Sequence, residues 1–177
     1  MLIRRMKNKF WRDTGGVSVV EFALILPFML VMIFGTVEIS NLMIADRKLV
    51  SATSTTADLF AQTRTVTTAE IADIFLAGRA VMQPLADSTL TFVVASVVAD
   101  GAGVTRVEWS EGYGAAGRAP GSVYTLPVGI IEPNQSVIVV ESNYSYVSQL
   151  GQLIISPIAL SDRFFLAPRR SIKVVRL

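Results

Sequence analysis

With no histidine and no cysteine among 177 residues, the chain has few ways to do covalent chemistry. Ser-His-Asp and Cys-His catalysis are excluded, as are most zinc sites, which need imidazole or thiolate ligands. Carboxylates remain. Asp58, Glu70, Asp73, Asp87, Asp100, Glu108, Glu111, Glu132, Glu141 and Asp162 are scattered, mostly beside turns or on polar faces. A glycosidase pair is defined by spatial separation, which spacing in sequence does not supply, and in so small a domain these groups read as solvated surface charge. No loop has the calcium-binding spacing, so neither a metal nor a cofactor is implied. The glycine-rich stretch GYGAAGRAPG, residues 112–121, lacks the Gly-Lys-Ser/Thr ending that leads a phosphate loop into its helix, and reads as a plain loop.

Glu21 is different. From Val17 to Val37 there are 21 residues, and Glu21 is their only formal charge. An ionisable side chain deep in a bilayer costs about 2.5–3.5 kcal/mol on insertion scales, so something must offset it. Either Glu21, four residues in from Val17, reaches the headgroup region, or it meets a partner.

The element that carries Glu21 follows from length. At about 1.5 Å per residue the run spans roughly 30 Å, the thickness of a bilayer's hydrocarbon core. Only Ser18, Glu21 and Thr36 are polar, too few for the solvated face of a soluble helix. Residues 17–37 therefore read as a transmembrane helix in contact with the lipid bilayer. Arg4, Arg5, Lys7, Lys9 and Arg12 precede it against the single anion Asp13, whereas Asp46, Arg47, Lys48 and Asp58 cancel beyond it. The positive-inside rule then puts residues 1–16, a basic leader, in the cytoplasm and exports the rest. A signal peptide cleaved behind the run is the rival reading. The run exceeds the usual apolar core of such peptides, no small-x-small site follows closely, and no cysteine offers a lipid anchor.

A basic leader, Gly16, the four residues Val17 to Val20, then Glu21-Phe22 and a long apolar helix resembles a type IV prepilin processing site. That resemblance implies cleavage by a membrane aspartyl peptidase between Gly16 and Val17, leaving Glu21 fifth in the mature chain. Gly15 and Gly16 lower helix propensity, which suits a protease that takes its substrate extended. The new amine on Val17 could pair with Glu21 of a neighbouring subunit in low dielectric. More narrowly, Gly16, Glu21, Phe22, Ala23, Leu24, Leu26 and Pro27 fill the pattern G-x4-E-F-A-L-x-L-P of the TadE-like proteins of tight-adherence (Tad) pilus systems. Phe34-Gly35 with Glu38, then Val139-Val140-Glu141 with Tyr144 and Tyr146, and Ala167-Pro168-Arg169-Arg170 are similar to further family features. What the resemblance implies is a pseudopilin or minor pilin that takes part in assembly of thin adhesive pili at the bacterial inner membrane. Its domain would stand in the periplasm. Its partners would be the prepilin peptidase, other pilins and pseudopilins, and the inner-membrane assembly platform with its secretion ATPase.

Beyond the span, hydrophobic period predicts the remaining elements. Pro27 removes a helix hydrogen bond and opposes the carbonyl of Ala23, which predicts a kink; with Glu21 it would set how the helix packs. Ile39, Leu42, Met43, Leu49, Val50, Thr53, Ala57, Phe60 and Ala61 recur at spacings of mostly three and four, so residues 38–62 read as a helical extension that docks on the domain. Within it Ser51 to Thr56 is poor in helix propensity and could instead be a hinge. Thr67 and Glu70 have capping-box spacing and open a second helix that buries Ile71, Ile74, Phe75, Gly78, Val81, Met82 and Leu85 and ends near Pro84. Strands are expected over 90–99 and 104–110, joined by the turn Asp100 to Gly103, with Val107 and Trp109 on one face. Residues 136–147 form the strongest strand, and 164–166 and 171–175 read as closing pieces. The apolar stretch 150–160 could pack back on the domain or touch lipid or a partner. The expected fold is α+β: a long transmembrane helix extending into a small domain, residues 63–177, with a second helix on an antiparallel sheet of about four strands.

The net charge of +2 belongs to the leader: without its five cations and Asp13 the chain carries 11 cations and 13 anions. No basic stripe with interleaved aromatics is present, so nucleic acid is not an expected partner. The expectation is a non-enzymatic pilus component. The alternatives are an uncleaved, signal-anchored periplasmic binding or scaffold protein and, more distantly, an anchored hydrolase built on carboxylates.

Overall fold

The computed structural model describes residues 15–148 and 157–177. The basic leader up to Thr14, and residues 150–156 of the apolar stretch, lie outside the described residues. The chain divides into two compact units, residues 1–41 and 42–177, and α1 (Gly15–Gln62) runs through both as one helix of 48 residues.

In the first unit α1 is apolar on every side, and large side chains from Val17 to Val37 are exposed. Its most hydrophobic 18-residue window has a mean hydropathy of 2.5 and none of it is buried. Among the described residues this is the one helix long and apolar enough to cross a membrane, by length and composition. Pro27 lies inside α1, which continues on both sides of it. Toward the far end of the run Thr36 Oγ1 donates to the Met32 carbonyl at 2.8 Å and Ser40 Oγ to that of Thr36 at 2.9 Å. These helical back-bonds satisfy hydroxyls that would otherwise be costly in lipid.

In the second unit α1 changes character. Ala45, Leu49, Ala52, Thr53, Thr56, Ala57, Phe60 and Ala61 are fully buried, at helical spacing. Ile39 of the first unit and Met43 and Val50 of the second, expected on this docking face, are exposed at 61%, 53% and 41%. All three fit a three-or-four spacing, but the surface α1 faces lies along the Ala45, Leu49, Ala52, Thr56 line. The 51–56 cluster is helix and not a hinge: Thr53 and Thr56 donate to the carbonyls of Leu49 and Ala52 at 2.7 and 2.8 Å, and their small side chains admit a close neighbour.

That neighbour is α2 (Thr68–Val81), whose start is the expected capping box: Glu70 N–H donates to Thr67 Oγ1 at 3.3 Å and Thr67 N–H to Glu70 Oε2 at 2.8 Å. A Cβ on Gly78 would stand 2.2 Å from Thr56 Oγ1, so the α1–α2 crossing needs glycine there. Lys48 of α1 donates to the carbonyls of Val81 and Gln83 at 3.4 and 2.5 Å, occupying orphan acceptors at the end of α2.

The sheet comprises β2 (Thr91–Ala99), β3 (Thr105–Tyr113), β4 (Ser136–Tyr146) and β5 (Ile158–Leu166), antiparallel throughout, in the order β3-β2-β4-β5. Phe92 and Val94 of β2 and Ile138, Val140 and Tyr144 of β4 face the helices and form the main core with Leu49, Phe60, Phe75 and Trp109. Phe75 packs edge-on to Phe60 at 5.8 Å and stacks on Phe92 at 6.1 Å. Thr53 Oγ1 and Ser142 Oγ, both buried, share a 2.6 Å hydrogen bond that ties α1 to β4.

The opposite face of the sheet is covered too. Ala95, Val97, Val107, Val137 and Val139 form a second apolar cluster with Tyr124, Leu126 and Ile131 from the β3–β4 connection. Strands buried on both faces read as continuous apolar runs, which is how β2 and β4 look in the sequence. Val107 and Trp109 do not share a face. A bulge pairs Ser96 with Trp109 and Val97 with Val107, leaving Glu108 over; the extra residue switches the alternation, sending Trp109 to the helix side and Val107 to the other. Strand β3 also runs on to Tyr113, so the first residues of the expected 112–121 loop belong to it.

The C-terminus closes the unit. β1 (Thr65–Val66) and β6 (Val175–Arg176) pair in parallel, a contact that no local pattern announces. Trp109 Nε1 donates to the Val174 carbonyl at 2.7 Å, Ser136 Oγ to that of Ile172 at 2.6 Å, and Arg169 N–H to that of Ala61 at 2.8 Å.

Candidate functional site

Gly16, Val17, Glu21, Phe22 and Pro27 all lie in the exposed first unit of α1. The Gly16–Val17 bond lies within the described part of α1, and both residues are exposed. A Cβ on Gly16 would meet nothing within 4 Å. Gly15 and Gly16 lower helix propensity in this part of the chain. Glu21 is exposed one turn further along. The chemistry available to this segment is lipid solvation and helix–helix packing, with one carboxylate as the specific element.

A second constellation sits in the other unit and was not legible in the sequence, which presents Glu141 as one scattered carboxylate among many. Glu141 projects from β4 with its side chain 15% exposed. Tyr124 Oη donates to Glu141 Oε1 at 2.7 Å, Arg118 Nη2 to Oε2 at 2.6 Å, and Arg163 Nη2 lies 3.0 Å from Oε1. The two guanidinium groups also stand over the Tyr124 ring, 4.9 and 5.9 Å from its centre. Burial pushes the Glu141 carboxyl up, but the Tyr124 hydroxyl and the two arginines outweigh it and hold it below the usual carboxylate range. Burial, together with the hydrogen bond to the Glu141 anion, pushes the Tyr124 phenol up to about 12. A carboxylate whose oxygens are engaged by three donors is a counterion and a clasp, poorly placed to exchange protons with a substrate.

Four further ion pairs lie along the surface. Arg79 meets Asp87, Arg169 meets Asp58, Lys173 meets Glu108 and Arg176 meets Glu111. Three of these four pairs fasten the C-terminal segment to α1 and β3. Among the described residues no group of three or more carboxylates could hold a metal ion.

The fold and the exposed helix define a class: an α+β domain whose first helix extends into an apolar segment of membrane-spanning length. Residues 16–58, the apolar run and the first part of the docked extension, match the family model described as TadE-like protein. No curated protein and no solved structure matches the chain.

Proposed function

We propose that this protein is a non-enzymatic pseudopilin or minor pilin of a Tad-type adhesive pilus system, anchored by one pass through the bacterial inner membrane. In this reading its N-terminus is cytoplasmic and its α+β domain periplasmic. A prepilin peptidase removes the leader after Gly16, and Glu21 with Phe22 mediates packing against other pilins, pseudopilins and the assembly platform. Pro27 adjusts the course of the helix within that packing. The observation that carries the reading is the TadE-like match, which begins at Gly16 and covers the exposed apolar helix containing Glu21. An isolated carboxylate in such a helix is costly unless a partner group compensates it, and a neighbouring subunit's new amine would do so. The five cations before the span support the cytoplasmic placement of the N-terminus.

The test is intact mass and N-terminal sequencing of the membrane-purified protein, expressed with and without a prepilin peptidase. A terminus at Val17 that depends on the peptidase is the expected result. An intact Met1 in both preparations would leave the second reading, an uncleaved anchored periplasmic scaffold, which the paired surface charges and fully engaged Glu141 fit equally well. Glu21→Gln then separates the two: the protein should still insert in the membrane but fail to support pilus formation. Normal pili from that variant would count against the pilin reading.

A further inference from the structure

The second apolar face of the sheet is covered by a connection, not by a helix or another sheet, and the way that connection is fastened has a consequence. Residues 118–131 have no helix and no extended strand of their own. Tyr124, Leu126 and Ile131 pack on Ala95, Val97, Val107, Val137 and Val139. Part of the segment lies along β3 as a surrogate edge strand. Gly121 N–H donates to the Val107 carbonyl at 2.7 Å, Val107 N–H to that of Ser122 at 2.9 Å, and Tyr124 N–H to that of Thr105 at 3.1 Å, with an antiparallel bridge between Arg106 and Val123.

Both ends are built differently from the middle. On one side a Cβ at Gly117 would be 2.7 Å from the Ser110 carbonyl oxygen and one at Gly112 only 2.0 Å from that of Ala115, so residues 112–117 fit tightly against β3. On the other, Asn134 N–H donates to the Ala99 carbonyl at 3.1 Å and Ala99 N–H to that of Gln135 at 2.9 Å. Between these fixed ends, Gly121 and Gly129 take positive φ values of 79° and 88°, and Val128 is fully exposed. Besides its hydrogen bonds to β3, which include Thr105 Oγ1 to the Tyr124 carbonyl at 2.5 Å and Arg118 N–H to Ser110 Oγ at 2.9 Å, the segment is tied across the sheet face through Glu141, which receives Arg118 and Tyr124 from the cover and Arg163 from β5.

We propose that residues 118–131 are a releasable cover that opens as a unit about its fixed ends, with Glu141 as its latch, and that opening bares the edge of β3 and the second apolar cluster while the helix-side core stays closed. Local opening of this sort draws on segments with few buried contacts and exposed backbone hydrogen bonds, which describes the cover and not α2, β2 or β4. The groups that face Glu141 are Arg118 and Tyr124 from the cover and Arg163 from β5. Replacing the carboxylate by an amide removes the attraction to both arginines at once while keeping shape. The latch is a property of residues 42–177 and stands or falls independently of whether the protein enters a pilus.

Hydrogen exchange followed by mass spectrometry on the full chain in detergent tests it, with the Gly121 and Tyr124 amides as reporters. In the wild type, peptides within 118–131 should exchange at least about tenfold faster than those of β2 and β4, and Glu141→Gln should raise exchange there several-fold while leaving α2 and β2 unchanged. Tyr124→Phe, which keeps the ring and loses the hydroxyl, should act in the same place and more weakly. Exchange in 118–131 that matches β2 and β4 in the wild type, or that rises equally across the unit in both variants, would show that the cover opens only with global unfolding and would overturn the proposal.

Discussion

At the scale of single residues, Glu141 and Tyr124 contribute to the pH response at opposite ends of the scale. Glu141 is held below the ordinary carboxylate range in the folded protein, so between the folded and unfolded values the unfolded chain binds more protons. The stability it contributes is present above the unfolded value and is lost as pH falls through the folded value. Tyr124 has the opposite sign at the other end of the scale. Its phenol is raised from 10.0 to about 12, so its contribution is complete below pH 10 and disappears as pH rises through about 12. Urea unfolding from pH 3 to 11 should therefore show an acid decline that Glu141→Gln flattens and an alkaline decline that Tyr124→Phe flattens. A variant as pH-sensitive as the wild type at the corresponding end would show that other groups govern that limb. Glu70 is also held below the ordinary range, by the Thr67 N–H and hydroxyl of its capping box. Thr67→Ala should cost about 1 kcal/mol by removing the cap from α2, measured by the same titration.

At the scale of elements, the contact between α1 and α2 sets what substitutions the domain accepts. Gly78→Ala would ordinarily stabilise a helix, because alanine has the higher propensity. Here the added methyl meets Thr56 Oγ1, a short branched side chain on a buried helix face. Overpacking of this kind costs about 1–3 kcal/mol, so Gly78→Ala should lower the unfolding midpoint, and Thr56→Ala in the same chain should restore part of it. A Gly78→Ala protein as stable as the wild type would mean that the helices shift apart freely. Phe60 presents the other extreme: fully buried between Phe75 and Trp109, its replacement by alanine should cost about 3–5 kcal/mol.

On the scale of the whole molecule, the helix that looks like an anchor is also part of the core of residues 42–177. Leu49, Ala52, Phe60 and their neighbours supply one side of it. A protein starting at Leu42 should fold cooperatively in water, with amide protection in α2 and β2, since the exposed apolar run is then absent. A protein starting at Thr63 lacks that side of the core and should be unfolded or aggregated, as judged by far-ultraviolet circular dichroism and gel filtration. Equal behaviour of the two would show that the 42–62 segment contributes nothing to the fold.

The sequence by itself determined whatever depends on neighbours along the chain. The membrane-length run with its lone Glu21, the capping box at Thr67 and Glu70, the Asp100 to Gly103 turn and the two apolar strands over 91–99 and 136–146 were all readable, because length, period and turn chemistry are local properties. Tertiary structure decided what depends on residues far apart. Which side of α1 docks was set by the shape of α2 and the sheet, so Met43 and Val50 are exposed although their spacing suited burial. The bulge at Glu108 parted Val107 from Trp109, because an unpaired residue reverses the alternation that a strict period of two assumes. The parallel pairing of Thr65–Val66 with Val175–Arg176 joins segments more than a hundred residues apart, and the Glu141 clasp gathers residues 118, 124, 141 and 163 from three elements. Neither has a local signature, since the energy that makes each arrangement favourable comes only when the sheet has already brought its parts together.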